Sequence, residues 1–192
     1  MNYQDYIWDL GGTLLDNYET STAAFVHTLQ DFGLTASHDE VYKALKVSTE
    51  YAVRQFAPRN KEFLKAYKAN EAKELEHPIL FDGASELLAQ IIQQGGRNFL
   101  ISHRDDQVLE ILQKTQIDPY FTEVVTATNG FKRKPDPESM LYLKDKYQIE
   151  SGLVIGDRPI DIEAGQAVGF SCYLFDNMKN LEEFVDIELE KE

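Results

Sequence analysis

The sequence predicts an α/β fold: a three-layer Rossmann-like core on a parallel sheet, with a small all-helical unit inserted after the first strand. Three observations carry this. A short apolar strand opens the chain and runs into Gly11-Gly12, strand signals then vanish over residues 16–78, and from residue 79 helix and strand patterns alternate. Strict alternation means parallel strands joined by crossovers, with helices covering both faces of the sheet.

Tyr6 to Leu10 is the first strand, an apolar run that delivers Asp9 at its carboxyl end before the glycine turn. From Asp16 to His77 the pattern is helical, with turns near Gly33, Pro58 and Pro78. Ser37 followed three residues later by Glu40 is a capping-box signature opening a helix through Val41 and Leu45. Phe63, Ala66 and Tyr67 mark the apolar face of a helix ending near Glu76. Two to four helices without a strand make a small bundle, so residues 1–15 and 79–192 are expected as the core and residues 16–78 as a separate helical unit.

Ala84, Leu87, Leu88, Ile91 and Ile92 then recur at helical spacing up to Gly95-Gly96, and Phe99 to Ile101 is the next strand. Val108, Ile111 and Leu112 lead to a strand over Glu123 to Thr126, and Met140, Leu141 and Leu143 to one over Leu153 to Ile155. A helix around Ile162 to Val168, a strand over Ser171 to Phe175 and an acidic helix near Leu181 complete the core. Residues 182–192 read as a solvated, fraying tail.

The 192 residues suffice for one well-buried core with a modest insertion. A formal net charge of −14 sets the chain against nucleic acid and anionic membrane, so any phosphate must be held by local cations. Met1 to Leu15 has no basic leader, and no apolar run approaches the roughly 18 to 20 residues of a membrane span, so a soluble cytoplasmic protein is expected. The single cysteine, Cys172, excludes an internal disulfide, and its neighbours Phe170, Tyr173 and Leu174 make it a buried strand residue.

In open parallel sheets ligands bind beyond the carboxyl ends of the strands. Four such ends carry polar groups here: Asp9; Ser102-His103-Arg104; the loop Asn129 to Pro135, with Lys132, Arg133 and Lys134; and Gly156-Asp157. Each alone has a plain structural reading, with Asp9 capping a turn, Ser102 capping a helix that begins near Asp105, and Lys134 a solvated loop lysine. Gathered on one sheet edge they balance in charge. Asp9 and Asp157 can hold a hard divalent cation through oxygen, while Lys134 and Ser102 orient phosphoryl oxygens. That is equipment for phosphoryl transfer.

The series Asp9-Leu10-Gly11-Gly12-Thr13-Leu14 after a strand, Ser102 after Phe99-Leu100-Ile101, Lys134-Pro135, and Gly156-Asp157-Arg158-Pro159-Ile160-Asp161 resembles the four motifs of the haloacid dehalogenase superfamily. The helical insert resembles the small cap of its phosphoglycolate phosphatase and β-phosphoglucomutase branch. The resemblance implies a magnesium-dependent phosphatase of a small phosphorylated metabolite. It implies Asp9 as the nucleophile, forming an aspartyl phosphate, and Lys134 as the group that offsets developing negative charge. Asp9, the Gly11 carbonyl, Asp157 and Asp161 would surround Mg2+, and Ser102, Thr13, Gly12, His103 and Lys134 would surround the phosphoryl group.

The chain departs from that pattern at Gly11. Phosphatases of the family keep an aspartate there to protonate the leaving group and activate water, a contribution of about 10²- to 10⁴-fold. Candidates to replace it are His103, and His27, Tyr18 or Glu19 from the start of the insert. Glycine also resembles the alanine of the phosphonate-hydrolysing branch, where a cap lysine forms a Schiff base; Lys43 and Lys46 lie on a cap helix. Three readings follow: a phosphatase favouring good leaving groups such as acyl or aryl phosphates, a binding module that keeps magnesium and phosphoryl affinity with weak turnover, and a phosphonate hydrolase. Dehalogenation is set aside, because that branch does not use magnesium and the Asp157 motif here is intact.

Overall fold

A computed structural model describes residues 3–74 and 76–189, with side chains as far as residue 185. In chain order the elements are β1 (Asp5–Trp8), α1 (Asn17–Asp31), α2 (His38–Val47), α3 (Thr49–Phe56), α4 (Phe63–Glu74), α5 (Ala84–Gln93), β2 (Arg97–Ile101), α6 (Gln107–Lys114), β3 (Phe121–Val125), α7 (Glu138–Tyr147), β4 (Gly152–Gly156), α8 (Pro159–Ala167), β5 (Ser171–Leu174) and α9 (Met178–Leu189). The chain divides into two compact units, one of Met1–Leu15 with Leu80–Glu192 and the other of Asp16–Ile79.

The first unit is the three-layer α/β fold that the alternating pattern predicts. Its five strands lie in the order β3-β2-β1-β4-β5, and every pairing is parallel. Side-chain alternation along the strands sorts the core into two apolar layers. Tyr6, Trp8, Leu100 and Ile155 pack with Leu88, Ile91, Val108 and Leu181 on one face. Ile7, Phe99, Ile101 and Val154 pack with Met140, Leu143 and Ala164 on the other. Full burial of side chains such as Ile7, Phe99 and Leu100 contributes about 1.5–3 kcal/mol each. The one amide inside the sheet, Asn98, is satisfied: its Oδ1 accepts from Trp8 Nε1 at 2.9 Å and its Nδ2 donates to the Leu88 carbonyl at 3.1 Å.

The second unit contains α1 to α4. Ser37 and Glu40 form the capping box their spacing announces, and Phe25 gathers Phe56, Phe63 and Tyr67 edge-on, with centroids 6.2, 4.9 and 5.0 Å away.

Besides shifts of one to three residues at element ends, such as β3 over Phe121–Val125 rather than Glu123 to Thr126, three features differ from the sequence pattern. β1 ends at Trp8 rather than Leu10, so Asp9 sits just past the strand, where its N–H still donates to the Ile155 carbonyl at 2.9 Å. The expected fraying tail is helix through Leu189, because Leu181 and Val185, four residues apart and buried on one face, anchor α9 to the core; residues 190–192 lie outside the described residues. Cys172 is only half-buried, since β5 is an edge strand.

Candidate active site

From β1 the chain winds outward through β2 to β3, then returns to place β4 on the other side of β1. The winding therefore reverses between β1 and β4, which opens a crevice at their carboxyl ends. Asp9 follows β1 and Asp157 follows β4, so the two carboxylates flank that crevice. Asp161 joins them from the first turn of α8. It is fully buried, and its Oδ2 accepts the Arg158 N–H at 3.2 Å, which caps the helix. Gly156 allows this approach, because a Cβ there would overlap the Asp161 side chain.

Lys134 comes from the loop between β3 and α7, and its side chain is 1% exposed. The ammonium lies 2.6 Å from Asp9 Oδ1, 2.5 Å from Asp161 Oδ1 and 3.2 Å from the Ile101 carbonyl. Asp9 Oδ1 and the Ile101 carbonyl accept hydrogen bonds from the ammonium, and Asp161 Oδ1 makes an ion pair with it. The direct pairing of Lys134 with Asp161 has no signal in the sequence, since twenty-six intervening positions and a strand separate them and only the fold closes the gap.

The electrostatics of the cluster are unbalanced. Asp9, Asp157 and Asp161 each offer an oxygen within 4.8 Å of the others, and against three carboxylates stands one buried ammonium. Burial pushes the Asp157 carboxyl up to about 6, with Asp9 and Asp161 adding to the rise and Arg158 opposing it. Burial also raises Asp9, against the pull of Lys134. Asp157 Oδ1 is buried without a protein partner. An unpartnered anionic oxygen among clustered carboxylates, in a site short of two positive charges, fits a hard divalent cation with oxygen ligands.

The remaining expected residues fall as follows. Ser102 is buried, and its Oγ accepts the Arg104 N–H at 3.2 Å, which leaves the hydroxyl proton to donate. Thr13 is buried with Oγ1 unpartnered. Gly12, expected in the phosphate cradle, has its N–H committed to the Leu15 carbonyl at 2.9 Å; what it supplies is room, because a Cβ there would overlap Asp157. Gly11 is half-buried and bridges to Leu15. His103 Nε2 accepts the Lys134 N–H at 2.8 Å, and burial, then Lys134 and Arg133, push its pKa down to about 4. The ring is therefore neutral at pH 7, with its proton on Nδ1.

The other proton-transfer candidates belong to the helical unit. His27 faces Asp31 at 3.8 Å, and Glu19 holds His38 at 2.8 Å. Lys43 is exposed on α2, while the Lys46 ammonium lies over the rings of Tyr18 and Tyr42 at 5.7 and 5.2 Å.

Residues 6–175 match the family model described as haloacid dehalogenase-like hydrolase. A phosphoglycolate phosphatase of Aliivibrio fischeri is 29% identical over 189 residues, covering 88% of this chain and 81% of its own. A pyrophosphatase PpaX of Listeria monocytogenes serotype 4a is 27% identical over 168 residues, covering 83% of this chain and 77% of its own. Among solved structures, a hydrolase from Streptococcus pneumoniae TIGR4 aligns with a TM-score of 0.93 at 69% identity, over 97% of this chain and 100% of that one. Among the described residues no helix is long and apolar enough to cross a membrane.

Proposed function

The chain belongs to the haloacid dehalogenase-like hydrolases, and on that premise we propose that Asp9 is the nucleophile of a magnesium-dependent phosphatase working through an aspartyl phosphate. The protein is a phosphatase of small phosphorylated substrates. What supports the finer reading is the placement of Asp9 and Asp157 on the two sides of the switch-point crevice, with Asp157 Oδ1 left unpartnered.

In this reading an Asp9 carboxylate oxygen bonds to phosphorus as the bond from phosphorus to the leaving oxygen breaks. Water then attacks the same phosphorus, releases inorganic phosphate and restores the carboxylate. Lys134, braced by Asp161, holds Asp9 Oδ1 and fixes the orientation of the carboxylate. The Ser102 and Thr13 hydroxyls donate to phosphoryl oxygens. Asp9 and Asp157 would hold Mg2+, which supplies charge neutralisation between an anionic nucleophile and an anionic phosphoryl group.

No side chain at Gly11 can protonate the leaving group, and His103, neutral with Nε2 engaged by the Lys134 amide, does not replace it. Leaving groups that depart as stable anions suit such a site, namely acyl or aryl phosphates and phosphoanhydrides. One of the relatives above carries the name pyrophosphatase, which agrees with the last class.

The test is magnesium-dependent phosphate release across a panel of phosphate esters, acyl phosphates and pyrophosphate, with Asp9→Asn as the blank. Turnover of the activated substrates above that blank is expected. The glycine at position 11 favours a second reading, a module that binds magnesium and phosphoryl groups without hydrolysing them. Magnesium binding with no turnover on any substrate would select it.

A further inference from the structure

A cavity of about 120 Å³ lies at the carboxyl ends of β2 and β3. At about 30 Å³ per water it would hold roughly four waters or one small oxyanion. Ser102, His103, Thr126, Lys132, Arg133 and Ser139 supply its polar lining.

Two properties of that lining point to the occupant. Ser139, on the first turn of α7, is 3% exposed, and its Oγ has no partner. A buried hydroxyl with nothing to bond to marks a place where a ligand or water completes the site. The charge of the lining then decides which. In a chain of net charge −14, the cavity walls carry two cations and no carboxylate. Lys132 makes only a long, exposed pair with Asp136 at 3.7 Å, and Arg133 has no ion-pair partner among the described residues. The donors fit this too. Ser102 accepts from Arg104 and so has its proton to give, and His103, with Nε2 accepting from Lys134, presents its proton on Nδ1. Only Thr126 has its hydroxyl proton spent, on Asp106 Oδ1 at 2.8 Å.

We propose that this cavity is a second anion site, distinct from the Asp9 cluster, which binds a small oxyanion of phosphate size through Ser139, Arg133 and His103 Nδ1. Ser102 lines this cavity while its one proton serves the phosphoryl group in the reaction proposed above, so the oxyanion has two natural sources: a second anionic group of the substrate, or free phosphate after hydrolysis. Anion binding itself does not depend on the phosphatase reading; the choice between the two sources does.

The first experiment titrates inorganic phosphate into the protein with EDTA present, followed by calorimetry or phosphorus NMR. Without metal the Asp9 cluster repels phosphate, so binding reports the second site. Saturable binding is expected, weakened at least fivefold by Ser139→Ala and by Arg133→Gln and insensitive to Asp9→Asn. Arg133 is exposed, so its replacement leaves the core alone. No saturable binding, or binding that tracks Asp9→Asn while both other variants behave as wild type, overturns the proposal. The second experiment compares KM for pyrophosphate and for acetyl phosphate in Arg133→Gln. A fivefold or greater rise confined to pyrophosphate assigns the site to a second phosphoryl group of the substrate. Equal KM values with weakened inhibition by phosphate assign it to the product. An enzyme inert on every substrate of the panel sinks the phosphatase reading, and the first experiment still decides the anion site.

Discussion

Gly12 and Asp157 compete for one volume: the Asp157 carboxylate lies where a Cβ on Gly12 would stand, and Gly12 itself has φ +85°. The residue thus serves the turn and the site at once. In Gly12→Ala the positive φ alone is expected to cost about 1–2 kcal/mol, and displacement of Asp157 should weaken Mg2+ binding at least tenfold. Thermal melts and calorimetric titration with Mg2+ measure the two effects. Wild-type affinity in the variant would show that Asp157 is not the ligand.

Asp157 also sets a pH dependence. In the metal-free chain its carboxyl keeps its proton to about pH 6, against an ordinary value of 3.8. The folded state binds that proton more tightly than the unfolded chain does, so between about pH 4 and 6 this group lowers stability as pH rises. His103 acts in the opposite sense: its pKa falls from 6.5 to about 4, so over nearly the same window it adds stability as pH rises. Asp157→Asn should therefore show a steeper rise in Tm from pH 4 to 6 than wild type. Mg2+ competes with the Asp157 proton, so its stabilising effect should be small at pH 5 and full at pH 7.5. A Tm shift of equal size at both values would contradict the assignment.

Removal of Lys134 should be costly beyond catalysis. Lys134→Met leaves Asp9 and Asp161 facing each other in a buried site, where loss of one partner typically costs about 3–5 kcal/mol. Denaturant titration of the metal-free variant measures this, and Mg2+ should recover part of the loss. Lys134→Arg is not expected to rescue it, because a planar guanidinium is bulkier than the compact ammonium that sits between Asp9, Asp161 and the Ile101 carbonyl. A midpoint unchanged in Lys134→Met would mean that the carboxylates are neutral in the folded chain.

Gly11→Asp introduces a carboxyl two residues after Asp9. On ordinary phosphate esters it should raise kcat by about 10²- to 10⁴-fold, the usual worth of a positioned acid and base. On acyl phosphates, whose leaving groups need no proton, the gain should be slight. A similar gain on both classes would place the missing function elsewhere than the leaving group.

The α/β core was legible because its signals are local. Apolar strands such as Phe99 to Ile101 end in polar residues, and the spacing of Leu87, Leu88 and Ile91 is helical. The convergence of Asp9, Asp157 and Lys134 was legible for a related reason, since a parallel sheet presents all its carboxyl ends at one edge; Asp161, on a helix, came from the family resemblance alone. What escaped depends on packing. The helix near Leu181 was expected, but its acidic composition hid how far it runs, because Leu181 and Val185 hold it to the core. The engagement of His103 by the Lys134 amide joins backbone to side chain across a loop, so no residue pattern records it. Ser139 reads as an ordinary helix-start serine until the cavity at its side is seen.

Leu15 and Leu80 pair as a single antiparallel bridge, and Phe81 N–H donates to the Leu14 carbonyl at 3.0 Å. The chain thus leaves the sheet-bearing unit and re-enters it at adjacent points. To that unit the whole excursion is a closed loop, and closure cost grows only logarithmically with what the loop contains. Whatever occupies residues 16–79 can lengthen, shorten or be exchanged for an unrelated module with little thermodynamic consequence for the sheet. The sheet and the helical bundle can therefore evolve on separate schedules.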